Sequence, residues 1–223
     1  MLDDLPGDPN CPYCGGVGYL RLDVPVGHPE FGKLQICTCR TQQVSQQIRQ
    51  QLFKHSNLEV LSHLTFENFN PRGRVGLPPY QADSLEQAFN QAQRYAQKMN
   101  GWLLIQGKYG AGKTHLAAAI ANFAVGVGVP SLFITVPDML DSLRYAFNDP
   151  ELSFEDRFEE IRNAPLLVLD DFGTQNATAW AQEKLFQILN YRYSNRLPLV
   201  VTTNLPLEEI EPRIRSQIGR AHV

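Results

Sequence analysis

The sequence predicts an α/β fold: a parallel sheet covered by helices on both faces, preceded by a small metal-binding module. Three observations predict it. From residue 81 onward, short and wholly apolar runs alternate with helical periodicities. One of those runs leads into Gly107-Lys108-Tyr109-Gly110-Ala111-Gly112-Lys113-Thr114, which has the G-x-x-x-x-G-K-T spacing of a phosphate-binding loop. All four cysteines fall within the first 39 residues.

The chain divides into three stretches: residues 1–40 as the metal module, 41–80 as a connector and 81–223 as the nucleotide domain. In the first, Cys11 and Cys14 stand two residues apart, and Cys37 and Cys39 one apart. Close cysteine pairs in a cytosolic chain read as metal ligands rather than disulfides, and four thiolates suit tetrahedral Zn²⁺. Gly15-Gly16-Val17-Gly18 resembles a knuckle that wraps backbone around a metal, and His28 is a spare ligand. So short a stretch, with few large apolar groups, cannot bury a core alone, so zinc would supply its folding energy. Val44, Ile48 and Leu52 recur every four positions, predicting a helix with one narrow apolar stripe. It is either a linker helix or a partner-binding one. Residues 71–79 read as a loop from their proline and glycine content.

The nucleotide domain opens with helix 83–98, where Leu85, Ala88, Phe89, Ala92 and Ala96 keep helical spacing. Strand 102–106, the glycine loop and helix 113–125 follow, then strand 131–135, helix 137–147, a helix around 154–162, strand 166–169, helix 178–194 and strand 199–202. Short strands that are apolar throughout are buried on both faces, which is the pattern of a parallel sheet with helices above and below. Ligands of such sheets bind beyond the carboxyl ends of the strands.

The chemistry-bearing residues fall at those ends. The nucleotide cradle runs over Gly107, Tyr109, Gly110, Ala111, Gly112, Lys113, Thr114 and His115: glycines admit phosphate close to backbone N–H groups, and the following helix presents its positive end. Lys113 is expected to reach the β- and γ-phosphates of ATP, and the Thr114 hydroxyl to ligate Mg²⁺. Strand 166–169 closes on Asp170-Asp171, a Walker B arrangement in which Asp170 holds Mg²⁺ and Asp171 orients or deprotonates water; a plain turn pair is the other reading. Strand 199–202 leads to Thr203-Asn204, whose amide can hold water or sense the γ-phosphate, or simply start a turn at Leu205-Pro206. Arg213 and Arg215 lie in a basic stretch that can supply a transition-state cation to a neighbouring subunit, or form a solvated face.

The formal charge of −3 excludes a uniformly basic nucleic-acid binder, so any such surface is a local patch. No apolar run approaches the ~20 residues of a membrane span, and the acidic start lacks signal-peptide character. A cytoplasmic location without membrane contact is expected.

With these elements in order, the chain resembles AAA+ ATPases, and more narrowly the bacterial replicative helicase loaders of the DnaC/DnaI type and their relatives, the IstB transposition helpers. Asp170-Asp171-Phe172-Gly173 followed by Tyr191-Arg192-Tyr193 and Thr202-Thr203-Asn204 carries most of the resemblance, together with Leu64-Thr65-Phe66-Glu67-Asn68-Phe69. It implies that Lys113 and Thr114 are the Walker A pair, Asp170 and Asp171 the Walker B pair, Asn204 sensor 1 and Arg213 the arginine finger. Pro212 stands where loaders usually have an acid, which leaves Arg215 as an alternative finger. Relatives continue past Val223 into a further strand, so the sequence is expected to be C-terminally truncated.

The resemblance also implies partners. Residues 137–162 correspond to a helical element that faces a central pore and contacts single-stranded DNA; there Arg144, Tyr145 and Phe147 set a charge beside aromatic rings, although core packing plus a solvated arginine gives the same pattern. The expected function is an ATP-dependent loader that forms a nucleotide-dependent homo-oligomer and delivers or remodels a hexameric replicative DNA helicase during initiation or restart, the zinc module contacting the helicase. Hydrolysis is expected to be weak without oligomer, DNA or partner. An IstB-like ATPase assisting a transposase is the alternative; a zinc-dependent adaptor whose nucleotide site is only a structural switch, binding without hydrolysis, is the third.

Overall fold

The computed structural model describes residues 7–21, 23–25, 28–29, 31–40, 56–148, 153–173, 178–210, 212 and 215–216. The chain forms two compact units, Met1–Gln51 and Leu52–Val223. The helix expected around Val44–Leu52 lies outside the described residues.

The first unit is built on a two-stranded antiparallel ribbon, β1 (Tyr19–Arg21) and β2 (Leu34–Ile36), with Tyr19 opposite Ile36. Leu34 and Ile36 are exposed, whereas Cys11 and Cys37 are buried. Sulfur rather than hydrocarbon occupies the inside, as expected of a stretch too short for an apolar core.

The second unit contains, in order, α1 (Pro79–Lys98), β3 (Trp102–Gln106), α2 (Lys113–Gly126), β4 (Ser131–Thr135), α3 (Val136–Asn148), α4 (Phe154–Asn163), β5 (Leu166–Phe172), α5 (Ala179–Ser194) and β6 (Leu199–Thr203), with a short 3-10 turn at Leu207–Glu209. The four strands are parallel in the order β3-β6-β5-β4. Successive strand residues serve opposite faces. Leu132, Ile134, Leu167, Leu169, Leu199 and Val201 pack with α3, α4 and α5. Phe133, Leu166, Val168 and Val200 pack with α1 and α2. The middle of each strand is thus apolar on both faces, one for each of two cores, which is why the runs show no polar alternation; polar residues gather towards the strand ends.

Two boundaries differ from expectation by more than one residue. α1 begins at Pro79, four residues early, because proline fits the first helical turn, where its missing N–H costs nothing. β5 continues through the acidic pair to Phe172. The stretch 56–69, expected as connector, is part of the second core: Leu58 is fully buried, and Leu61, Leu64, Phe66 and Phe69 pack against α1 and α2. The Ser56 carbonyl accepts from Phe133 N–H on the edge strand, and Asn122 Nδ2 donates to the Leu61 and Leu64 carbonyls at 2.9 Å each. Among the described residues no helix is long and apolar enough to cross a membrane.

Candidate functional site

The glycine loop joins β3 to α2, and two of its glycines are required by geometry. Gly112 has φ +89°, and a Cβ there would meet the Phe69 ring at 3.0 Å. Gly110, at φ +71°, faces open space. α2 starts at Lys113 with no side-chain cap, and Leu116 N–H is the one that bonds back to the Gly112 carbonyl. The N–H groups of Lys113, Thr114 and His115 therefore have no acceptor within the helix, which is the condition for an anion at a helix N-terminus.

Lys113 is buried, 7% exposed, and its ammonium donates to the Lys108 carbonyl at 3.0 Å and to Asn204 Oδ1. Both acceptors are neutral, so a buried cation points at a cradle of N–H donors. Asn204 brings β6 into the same site, and its Nδ2 is buried without a hydrogen-bond partner. An orphaned donor beside Lys113 fits a phosphate oxygen or a water held next to one. Tyr109 is 82% exposed, with its ring 6.0 Å from the Lys113 ammonium. The His115 imidazole turns instead to the Thr65 carbonyl at 2.9 Å and lies edge-on to Phe69, leaving its backbone N–H for the cradle.

The Thr114 hydroxyl donates to Asp170 at 3.0 Å from Oδ2 and 3.3 Å from Oδ1. Mg²⁺ takes oxygens at about 2.0–2.1 Å in octahedral geometry, which sets adjacent ligands about 2.9 Å apart. This pair fits that ion, either as direct ligands or with water between Asp170 and the metal. Burial raises the Asp170 carboxyl above the usual carboxylate range; hydrogen bonds from Thr202 and Thr114 oppose it, Asp171 raises it further, and Lys113 lowers it. Asp171, half-buried, has φ +55°, a left-handed backbone uncommon outside glycine. A register shift between β5 and β6 at this point produces it.

The structure thus brings Lys113, Thr114, Asp170, Asp171 and Asn204 to one end of the sheet, beyond β3, β5 and β6. Arg213 lies outside the described residues, and Arg215 is half-buried in a short helical stretch. On α3, Arg144 pairs with Asp141 at 3.0 Å and sits over the Trp180 ring at 5.3 Å. Tyr145 is 74% exposed, so core packing does not explain it. Phe147 lies on α3.

The four cysteines of the first unit have their sulfurs all within 4.8 Å of one another, with Cys11–Cys37 at 3.7 Å and Cys14–Cys39 at 3.4 Å, and none is in a disulfide. Tetrahedral Zn²⁺ with bonds of about 2.3 Å sets its sulfurs about 3.8 Å apart, so the cluster fits zinc. His28 is not a member of it. Gly15, Gly16 and Gly18 all take positive φ, and Gly18 N–H donates to Cys14 Sγ at 3.3 Å, which is how the glycine knuckle wraps the sulfurs. The Cys14 thiol is lowered to about 7: burial works against this and is outweighed by the Gly18 N–H and the other donors around the sulfur.

Residue types alone left two contributors unmarked. Phe69 closes on the glycine loop from the stretch expected as connector. Thr202, fully buried in β6, bonds both Asp170 and the Asp171 backbone. The one sequence signal for the latter was a polar residue ending an otherwise apolar strand.

A glycine loop between strand and helix, a lysine aimed into it, a threonine–aspartate pair and an asparagine on the neighbouring strand define a P-loop ATP-binding protein of the AAA+ fold. A model of the family described as IstB-like ATP binding protein matches residues 38–217, and the chain belongs to that family. It is 30% identical over 165 residues to the replicative helicase loader DnaC of Escherichia coli K12, covering 72% of this chain and 64% of that protein. It is 31% identical over 110 residues to the replicative helicase loader DnaI of Bacillus subtilis, covering 49% of this chain and 35% of that one. The chain therefore spans less than two thirds of the length of these relatives. Among solved structures, AMPPCP-bound DnaA from Aquifex aeolicus superposes with a TM-score of 0.60 at 20% identity, covering 71% of this chain and 48% of that chain, a likeness of fold.

Proposed function

We propose that this chain is an ATP-hydrolysing loader that delivers or remodels a hexameric replicative DNA helicase on single-stranded DNA. The observation that carries the reading is the similarity to DnaC and DnaI in a chain that keeps the buried Lys113, the Thr114–Asp170 pair and Asn204 at one end of the sheet.

In this reading the α2 N-terminus and Lys113 bind the β- and γ-phosphates and neutralise their charge. Thr114 and Asp170 hold Mg²⁺, which supplies further neutralisation when bound. Asp171 takes a proton from, or orients, the attacking water, and the Asn204 amide holds that water against the γ-phosphate. Arg213, or Arg215, reaches the site of a neighbouring copy, so ATP assembles subunits and turnover stays slow until they assemble. Arg144, Tyr145 and Phe147 contact the DNA strand, and the zinc-loaded cysteine module engages the helicase. The protein acts in the cytoplasm, where replication takes place.

Assembly is the test. The wild-type chain forms higher-order species with ATP and not without it, as read by light scattering, and Lys113→Ala abolishes that change. ATP-dependent assembly by Lys113→Ala as complete as the wild type's contradicts the mechanism.

The family description favours one second reading, an IstB-type ATPase that assists a transposase and binds duplex DNA. A transposase gene beside this one, with duplex preferred over single-stranded DNA, would select it.

A further inference from the structure

Along β5 and β6, Leu169 pairs with Val201 and Phe172 with Thr203, so Asp170 and Asp171 together oppose the single residue Thr202. This is a β-bulge of two residues against one, placed where the acidic pair sits. A bulge takes its extra residue out of the backbone ladder, and something else must hold it.

Thr202 supplies that hold from a fully buried position. Its Oγ1 donates to Asp170 Oδ1 at 2.5 Å and accepts from the Asp171 backbone N–H at 3.0 Å. A hydroxyl has one proton to give, so accepting from Asp171 N–H leaves that proton to be aimed at Asp170. The neighbouring Thr203 Oγ1 donates to the Phe172 carbonyl at 2.7 Å and accepts from Leu205 N–H at 3.1 Å, fixing the far side of the bulge.

We propose that Thr202 is the positioning residue of the acidic pair: one hydroxyl fixes the Asp170 carboxylate facing Thr114 and the backbone that sets the Asp171 side chain. This rests on the reading of the site as a magnesium–nucleotide site. Thr202 touches neither nucleotide nor metal in that reading; it acts through the two aspartates. Such outer partners of metal ligands are worth about 10–100-fold in metal affinity or activity.

The test compares Thr202→Val, which keeps shape and loses the hydroxyl, with Thr202→Ser, which keeps the hydroxyl. Binding of a fluorescent ATP analogue is measured in EDTA and across a Mg²⁺ titration, alongside kcat and KM for ATP and the melting temperature. Expected for Thr202→Val are unchanged affinity in EDTA, a Mg²⁺ requirement raised by about tenfold or more, and kcat lowered by about tenfold or more with little change in KM. Thr202→Ser restores these to near wild type. In an Asp170→Asn background Thr202→Val causes no further loss of Mg²⁺ dependence, because the two act as one unit.

Wild-type Mg²⁺ dependence and kcat in Thr202→Val, with only a lowered melting temperature, overturn the proposal, as does a Thr202→Ser variant as impaired as Thr202→Val. If Thr202→Val does not fold, Thr202→Cys, with its weak S–H donor, replaces it and must fall below Thr202→Ser. A wild-type protein whose nucleotide binding ignores Mg²⁺ overturns the reading of the site itself.

Discussion

Asp170 shows how a single residue at this site trades stability for chemistry. It is 3% exposed, and burial holds its carboxyl above the ordinary value of about 4 despite hydrogen bonds from Thr202 and Thr114. The folded protein therefore keeps a proton there at pH values where the unfolded chain has lost it. The stabilising contribution of the neutral form is present at low pH and is lost as pH rises from about 4 through the raised folded value. At neutral pH the charge burdens the nucleotide-free fold. Asp170→Asn is expected to raise the nucleotide-free melting temperature by a few degrees at pH 7, with the gain narrowing towards pH 4, while abolishing Mg²⁺-dependent stabilisation by ATP and hydrolysis. Thermal melts across pH with and without Mg²⁺ and ATP check both arms. The contiguous part of this site was legible in the sequence, because eight consecutive residues specify the cradle and an acid after an apolar strand marks the metal side. The Thr202–Asp170 contact spans 32 positions and depends on a bulge. No local pattern announces a bulge whose extra residue is an aspartate rather than a glycine.

The type of each helix and strand is legible wherever apolar burial is continuous, because a run apolar for two cores has one plausible state, although β5 runs on past its apolar part to Phe172. The stretch 56–69 escaped that logic: Leu58, Leu61, Leu64, Phe66 and Phe69 follow no strand or helix period, and their burial depends on α1 and α2 being in place. The arginine of α5 is a second case. Arg192 is fully buried and donates to the carbonyls of Arg162 at 3.0 Å, Ala164 at 2.8 Å and Pro198. It thereby closes the end of α4 and the approaches to β5 and β6 with one planar donor fork. Burial lowers its guanidinium to about 10, still charged at neutral pH. In the sequence it was part of a family-like Tyr191-Arg192-Tyr193 stretch; in the structure its work is tertiary. Arg192→Met leaves the Arg162 and Ala164 carbonyls without this donor, while Pro198 keeps the Leu167 N–H, and is expected to cost about 3 kcal/mol in urea unfolding, and Arg192→Lys recovers only part of that. The folded fraction of either variant should bind ATP as the wild type does. Weakened ATP binding with unchanged stability would assign Arg192 to the site instead.

At the scale of the whole molecule, two units carry two separable chemistries. The first has a cysteine cluster where a hydrophobic core would be. The second has a two-faced parallel sheet whose strand ends converge on one nucleotide site. The proposed function joins them, with ATP governing an assembly that would hold a replicative helicase through the cysteine module. The most direct measurement is capture of the replicative helicase from the same genome by the tagged chain, with ATP and with ADP, using the wild type and Cys11→Ser, with zinc content measured on each. Stable capture by the zinc-loaded wild type, stronger with ATP than with ADP, is expected, with loss of capture in Cys11→Ser while ATP binding persists. Absence of capture under either nucleotide, by protein that is folded, zinc-loaded and ATP-binding, would contradict the proposed function.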